Sequence, residues 1–337
     1  ALWAVPAVRA LVLRSGAPGL ASYRAKGVVP ESWPEAAGVF TGAAAEAELL
    51  AEADLVLCVG FDAVEAIPGP WSAAAPVLAL TAWPREDAYL PEHLEVVGDL
   101  AALVEQAARH LRSDERPPES LPRGEIRAAL CALPPTTAGL HPAEVVEAVR
   151  RTHRTEASIT VDAGAHMLVA LALLEAERPR DVLVSSGLAT MGFALPAAIG
   201  VSLARPGQRV TCLTGDGGLG MVLAELETLA RLRLPVTVVV FNDQALTLIE
   251  LKQREAGQGG TGAVRYAGSD FVRIATALGV EAEGVDTVKD LEAGLVRAAA
   301  RPGPTLLDVR VDPSTYIQVM RTLRGVDAGL RDRDVER

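Results

Sequence analysis

The chain has 337 residues, half of them hydrophobic, and carries a formal charge of −11 at neutral pH. That length allows two domains with sizeable cores and the composition excludes a disordered chain. The acidic balance argues against a nucleic-acid binder, and no apolar run approaches the ~20 residues of a membrane helix.

Three cysteines, Cys58, Cys131 and Cys212, show no CxxC spacing, so neither a zinc site nor a disulfide framework is expected. No opening stretch reads as a signal peptide, and the expected location is cytoplasmic. Residues 5–15 have helical spacing. The short apolar runs 55–60 and 76–80 read as buried parallel strands, 94–98 as another, and 100–111 as a closing helix. This βαβ pattern opens inside a helix with no strand before it, so it reads as a partial domain. All four tryptophans, Trp3, Trp33, Trp71 and Trp83, fall in this first part.

A polar, proline-rich stretch follows at 113–124, then a short helical segment and a second breaker at 133–137. The expected division is therefore a first domain over 1–112, a linker over 113–136, a second domain over 137–325 and a tail over 326–337. In the second domain, 158–161, 182–184, 209–214, 235–241 and 305–311 read as strands. Residues 193–203 and 221–232 read as helices, the latter with Leu223, Leu226 and Leu229 on one face. The fold class is α/β, with two open parallel-sheet domains and helices on both faces of the second.

Residues 215–220 spell GxGxxG between a strand and a helix, and Asp243 lies at the end of the next strand. On pattern alone this is a dinucleotide fingerprint, or a tight glycine turn. Charge separates the specific readings. Asp216 occupies the turn that a pyrophosphate would approach, and a bare carboxylate beside a diphosphate is repulsive by roughly several kcal/mol when partly buried. A divalent cation between them reverses the sign. Asp216 and Asp243, at neighbouring strand ends, could hold one hard cation such as Mg²⁺, with the backbone N–H groups of Gly217 and Gly218 on the diphosphate oxygens.

Gly215-Asp216-Gly217, followed after 24 residues by Asn242-Asp243, resembles the thiamin diphosphate motif GDG-x(24–27)-NN, with Asp for the second Asn. Residues 186–200 are similar to the acetolactate synthase block GLGTMGFGLPAAIGA, and Asp162-Ala163-Gly164-Ala165-His166 to the D-x-G-x-H block that precedes it. Three ordered blocks are far more specific than one glycine loop. The first domain resembles the family's middle domain through 25–30 and 40–42. The chain thus resembles acetolactate synthase large subunits and related thiamin diphosphate enzymes, with a Rossmann-like middle domain and a C-terminal domain of the thiamin diphosphate-binding fold.

The resemblance implies roles at matching positions. Asp216, Asp243 and the Ala245 carbonyl would ligate Mg²⁺. Gly164, His166, Gly215, Gly217 and Gly218 would surround the diphosphate. Met191 would sit beneath the bend of the cofactor, and the Ala189 carbonyl would accept a bond from its 4′-amino group. Leu248 would touch the cofactor and, with Ile249, line the substrate pocket. Taken singly, Met191 reads as core filler, His166 as a satisfied histidine, Leu248 and Ile249 as helix-face residues, Lys252 and Glu255 as solvated, and Asp162 as a cap. Biosynthetic members carry Trp where this chain has Lys252, which opens the question of its substrate preference.

The implied reaction is decarboxylation of a 2-oxo acid with carboligation. A simple decarboxylase or aldehyde lyase of the same family is the first alternative, and a nicotinamide-dependent oxidoreductase using 215–220 is one of another class. FAD, which some members hold, stays undecided. The family's aminopyrimidine-binding domain and its glutamate have no counterpart in these residues. The expectation is therefore a fragment or subunit, inactive alone, that works as a homo-oligomer or with a separate chain supplying that domain.

Overall fold

In the computed structural model the described residues are 2–325, apart from 67–70, 72, 92, 112–120, 133–135, 137, 153–156 and 258–261. The expected tail at 326–337 and most of the proline-rich stretch at 113–124 lie outside them. The chain divides into two compact units, Ala1–Ala128 with Glu175–Asp181, and Ala129–Leu174 with Val182–Arg337.

The first unit opens with α1 (Val5–Ser15), which Gly16 ends in a left-handed cap. Then come β1 (Gly19–Ala21), β2 (Ala36–Val39), α2 (Ala47–Ala51), β3 (Val56–Val59), β4 (Val77–Thr81), β5 (His93–Val97) and α3 (Leu100–His110). Its strands form two separate parallel sheets among the described residues, β1-β2 and β3-β4-β5. The sequence pattern predicts the second sheet. The first is too short, and too rich in Gly and Ala, to show a strand period. Helices α1 and α3 close over β4 through Ala7, Leu11, Leu80, Leu100, Val104 and Ala108. The Asp99 side chain caps α3 by accepting from Ala102 N. Part of the expected linker is ordered as α4 (Pro122–Cys131).

The second unit runs α5 (Pro142–Thr152), β6 (Ser158–Val161), α6 (Ala165–Leu173), β7 (Val182–Val184), α7 (Ala194–Ala204), β8 (Val210–Gly215), α8 (Asp216–Met221), α9 (Glu225–Leu232), β9 (Val236–Asn242), α10 (Thr247–Glu255), α11 (Phe271–Ala277), β10 (Glu281–Val285), α12 (Val288–Ala300), β11 (Thr305–Arg310) and α13 (Tyr316–Arg324). Six strands form one all-parallel sheet in the order β10-β11-β9-β8-β6-β7. Alternation along β9 sends Val236, Val238 and Val240 into a core with Leu195 and Ile199 of α7 and Leu226 and Leu229 of α9. The opposite face carries Phe241, against which the His166 ring of α6 stacks with centroids 5.1 Å apart.

One expected helix differs. The spacing over 221–232 predicts a single helix, but the chain turns helical already at Asp216, breaks after Met221 and resumes at Glu225. The glycines of the loop are themselves the first helix, which periodicity of apolar residues cannot show.

Candidate active site

Strands β6 and β8 are neighbours, and the chain leaves β6 towards β7 on one side and continues from β8 to β9 on the other. Such a switch point opens a crevice at the C-terminal ends of the strands, where open α/β sheets bind ligands. A cavity of about 280 Å³ lies there. The turn after β6 brings Gly164 and His166 to it, and the loop before α7 brings Ala189 and Met191. Gly215, Asp216, Gly217 and Gly218 come from the β8–α8 junction, and Asp243 and Ala245 from the turn after β9. Leu248 and Ile249 line it from α10, and Lys252, one turn further on, stands exposed at its edge. All twelve residues singled out from the sequence meet in this one cavity.

The two acids are held by their neighbours' backbone. Asp216 is buried; its Oδ1 accepts from Gly217 N at 2.7 Å and its Oδ2 from Gln244 N at 2.7 Å. Gln244 is the residue after Asp243, so this bond ties the two acid-bearing turns together. Asp243 Oδ1 accepts from Ala245 N at 3.1 Å and its Oδ2 from the Thr247 hydroxyl at 2.6 Å. Burial raises the Asp243 pKa to about 7, and the Asp216 charge adds to the rise. Burial raises Asp216 as well, against the hydrogen bonds of Gly217, Tyr266 and Gln244. Neither acid forms an ion pair with Lys or Arg among the described residues. The carbonyls of Gln244 and Leu246 each accept an N–H, from Tyr266 and from Ile249 and Glu250, whereas the Ala245 carbonyl between them accepts none among the described residues.

A glycine-lined cradle adjoins the acids. A Cβ on Gly218 would clash with Asp162 Oδ2, which its hydrogen bonds hold in place, and one on Gly217 would lie 2.6 Å from Leu246 Cδ2, which would have to shift. His166 faces the cradle, fully buried, and its Nε2 has no hydrogen-bond partner. Its ring bonds the Asp162 backbone, and burial lowers its pKa to about 4 against the pull of the Asp162 charge. A buried ring nitrogen left unpaired costs roughly 1–3 kcal/mol, which a polar ligand in the cavity removes.

The loop at 185–193 is tightly wound. Gly187, Ala189 and Gly192 all have positive φ, at 82°, 46° and 78°. The Ser185 hydroxyl accepts from Thr190 N at 3.0 Å on one side of the loop. On the other side the Asp162 carboxylate accepts from Gly192 N and Phe193 N, each at 2.9 Å. Met191, between these anchors, places its methyl 3.4 Å from where a Gly217 Cβ would stand.

The description "Thiamine pyrophosphate enzyme, C-terminal TPP binding domain" matches residues 162–309, and "Thiamine pyrophosphate enzyme, central domain" matches 2–107. The chain belongs to the thiamine pyrophosphate enzyme family. Acetolactate synthase large-subunit relatives cover most of it. Acetolactate synthase isozyme 1 large subunit of Escherichia coli (strain K12) is 29% identical over 93% of this chain and 57% of its own. The catabolic acetolactate synthase of Raoultella terrigena is 31% identical over 82% and 50%. The acetolactate synthase of Bacillus subtilis (strain 168) is 28% identical over 94% and 57%. The chain therefore spans between half and three fifths of these relatives. In fold it is similar to the thiamine diphosphate-dependent 4-hydroxybenzoylformate decarboxylase of Rhodococcus jostii RHA1, with a TM-score of 0.76 and 24% identity over 92% of this chain and 59% of that one.

Several site residues of this family member carry no sequence signal. Tyr266 hydrogen-bonds the Asp216 carboxylate, and burial together with that acid raises its pKa. Tyr316, buried on α13, closes the cavity from a segment some seventy residues beyond Asp243. Thr247 fixes Asp243, and only its position four residues on, at the start of a helix, hints at that contact.

Proposed function

We propose that this chain supplies the diphosphate- and Mg²⁺-binding half of a thiamin diphosphate enzyme that decarboxylates a 2-oxo acid and joins the remaining fragment to a second carbonyl compound. The observation that carries the reading is the pairing of Asp216 and Asp243. Two mutually repelling carboxylates, joined through Gln244 N and beside an Ala245 carbonyl that accepts no N–H, form no ion pair with Lys or Arg among the described residues. Oxygen donors of this kind suit Mg²⁺, which completes its shell with water and substrate phosphates. Among the described residues no three acidic, His or Cys side chains cluster as a metal site. The reading agrees with this, since it draws on two carboxylates and one carbonyl.

The residues present fit the cofactor. Asp216, Asp243 and the Ala245 carbonyl would hold the metal, the cradle at 215–218 leaves room for phosphate oxygens, and His166 Nε2 offers an unused polar atom. When bound, the cofactor supplies a carbon nucleophile and an electron sink for the departing carboxylate. Met191 would support its bend and the Ala189 carbonyl would receive its amino group. Leu248 and Ile249 would keep water from the reacting carbon, which favours capture by a second carbonyl over protonation.

Calorimetric titration with thiamin diphosphate tests this. Binding is expected with Mg²⁺ and is lost with EDTA, and Asp216→Ala weakens it at least a hundredfold. Affinity indifferent to Mg²⁺, or retained in Asp216→Ala, would falsify the reading. We further propose that the aminopyrimidine-binding half comes from other chain segments, in an oligomer or a partner chain. Pyruvate turnover by these 337 residues alone contradicts that part.

A further inference from the structure

We propose that Asp162 is a positioning residue: its carboxylate sets where Met191 stands relative to the glycine cradle, and so decides how well the cavity grips the body of the cofactor rather than its phosphates. The consequence for binding rests on the function proposed above. The positioning itself does not.

Asp162 is wholly buried at the end of β6, the strand beside β8. Its carboxylate gathers donors from two other segments. Oδ1 accepts from Phe193 N, and Oδ2 accepts from Gly192 N and, at 3.1 Å, from the Thr214 hydroxyl at the end of β8. Oδ2 also fills the space a Gly218 Cβ would need. The backbone of the same residue takes the His166 ring. One side chain therefore joins the Met191 loop, the β8 end and the cradle.

Only a carboxylate can do this. The three donors require acceptors on both oxygens. An amide has one, so Asn at 162 must turn its NH2 either on Phe193 N or on Gly192 N and the Thr214 hydroxyl. The loop it restrains holds Ala189, a residue with a side chain, at a φ of 46°, and that strained turn needs such restraint to persist. Phosphate oxygens would meet mainly 215–218, whereas two of the three donors, Gly192 N and Phe193 N, belong to the residues directly after Met191. Loosening Asp162 should therefore be felt first at Met191.

The chain has four methionines, Met167, Met191, Met221 and Met320, so ¹³C-methyl labelling gives a sparse spectrum, and Met191→Leu assigns one peak. In Asp162→Asn without ligand, the Met191 methyl is expected to shift or broaden while that of Met320, in the core, stays in place. With Mg²⁺, affinity for thiamin diphosphate should fall about tenfold while affinity for inorganic diphosphate changes less than threefold. Combining Asp162→Asn with Met191→Ala should give less than the product of the two losses. An unmoved Met191 methyl overturns the proposal. So does a collective shift of all four methyls, or equal loss for both ligands, since each is what a general structural role produces. Where Asp162→Asn fails to fold, Thr214→Val removes one of the three donors, and its Met191-selective shift, smaller in size, decides instead. If the unaltered chain binds neither ligand, the proposed function fails and the methyl spectrum alone rules on Asp162.

Discussion

Two buried clusters of charge, one in each unit, are satisfied in different ways. In the first, Lys26 and Glu31 are both buried and pair at 2.6 Å, and Glu31 Oε2 also receives Ala176 N. In the second, Asp216 and Asp243 meet no Lys or Arg as an ion pair among the described residues, and His166 keeps an unbonded nitrogen. The first arrangement is complete within the chain. On the function proposed above, the second is completed by a bound cation, and that difference would separate structural from functional burial of charge.

The largest effect should come from cutting the completed pair. Lys26→Met leaves Glu31 buried without its cation, which costs about 3 kcal/mol by urea denaturation. Adding Glu31→Gln keeps the acceptor for Ala176 N, removes the stranded charge and should restore most of that loss. If the single substitution proves neutral, the two clusters do not differ as described.

The equivalent cut at the open site should have the reverse sign. The Asp243 pKa is raised to about 7, so the folded chain holds that proton more tightly than the unfolded one. Its contribution to stability is full below the unfolded value of 3.8 and is lost as pH rises through 7. Asp243→Asn should therefore stabilise the ligand-free chain at pH 8, by on the order of 2 kcal/mol, and hardly at pH 4. His166 works the other way. With its pKa lowered to about 4, its contribution is present above 6.5 and is lost as pH falls towards 4. The two slopes oppose each other in this window, so between pH 6.5 and 4.5 Asp243→Asn should lose stability on acidification relative to the unaltered chain. Denaturation in EDTA at three pH values measures both, and superimposable profiles would refute the assignment.

The same contrast explains what could be read from the sequence. The parallel sheet of the second unit is legible because β8 and β9 are runs of Val, Thr and other residues with strand propensity, VTCLTG and VTVVVFN, each followed directly by an acid. The site was legible because Asp216, Asp243, His166 and the glycines come in ordered blocks, and each block follows a strand. Tyr266 and Tyr316 were not, because their contacts depend on how α13 and the segment before α11 fold back, which no local spacing encodes. The β1-β2 pair was missed because Gly19–Ala21 and Ala36–Val39 are mostly Gly and Ala, residues without strand propensity. The split between α8 and α9 was missed because Leu223, Leu226 and Leu229 continue a helical period across the break.

The smallest effect concerns Ala189, the position where the resembled block carries glycine. Its φ of 46° places the Cβ close to the neighbouring carbonyl oxygen, at a cost of roughly 1–2 kcal/mol that glycine avoids. Against this, glycine gives the unfolded chain more freedom, worth about 0.4–1 kcal/mol. The balance predicts a gain of about 0.5 kcal/mol for Ala189→Gly, visible as a shift of 1–3 °C in Tm. The neighbouring Leu188 is almost wholly exposed, so no packing holds the Ala189 backbone in this conformation from outside. The restraint comes from Ser185 on one side and Asp162 on the other. In an Asp162→Asn background one of these two anchors is loosened, the strain at Ala189 is partly relieved, and the gain from the same glycine substitution should shrink. A gain that persists undiminished in that background shows that the left-handed turn belongs to the loop itself and not to the carboxylate that anchors it.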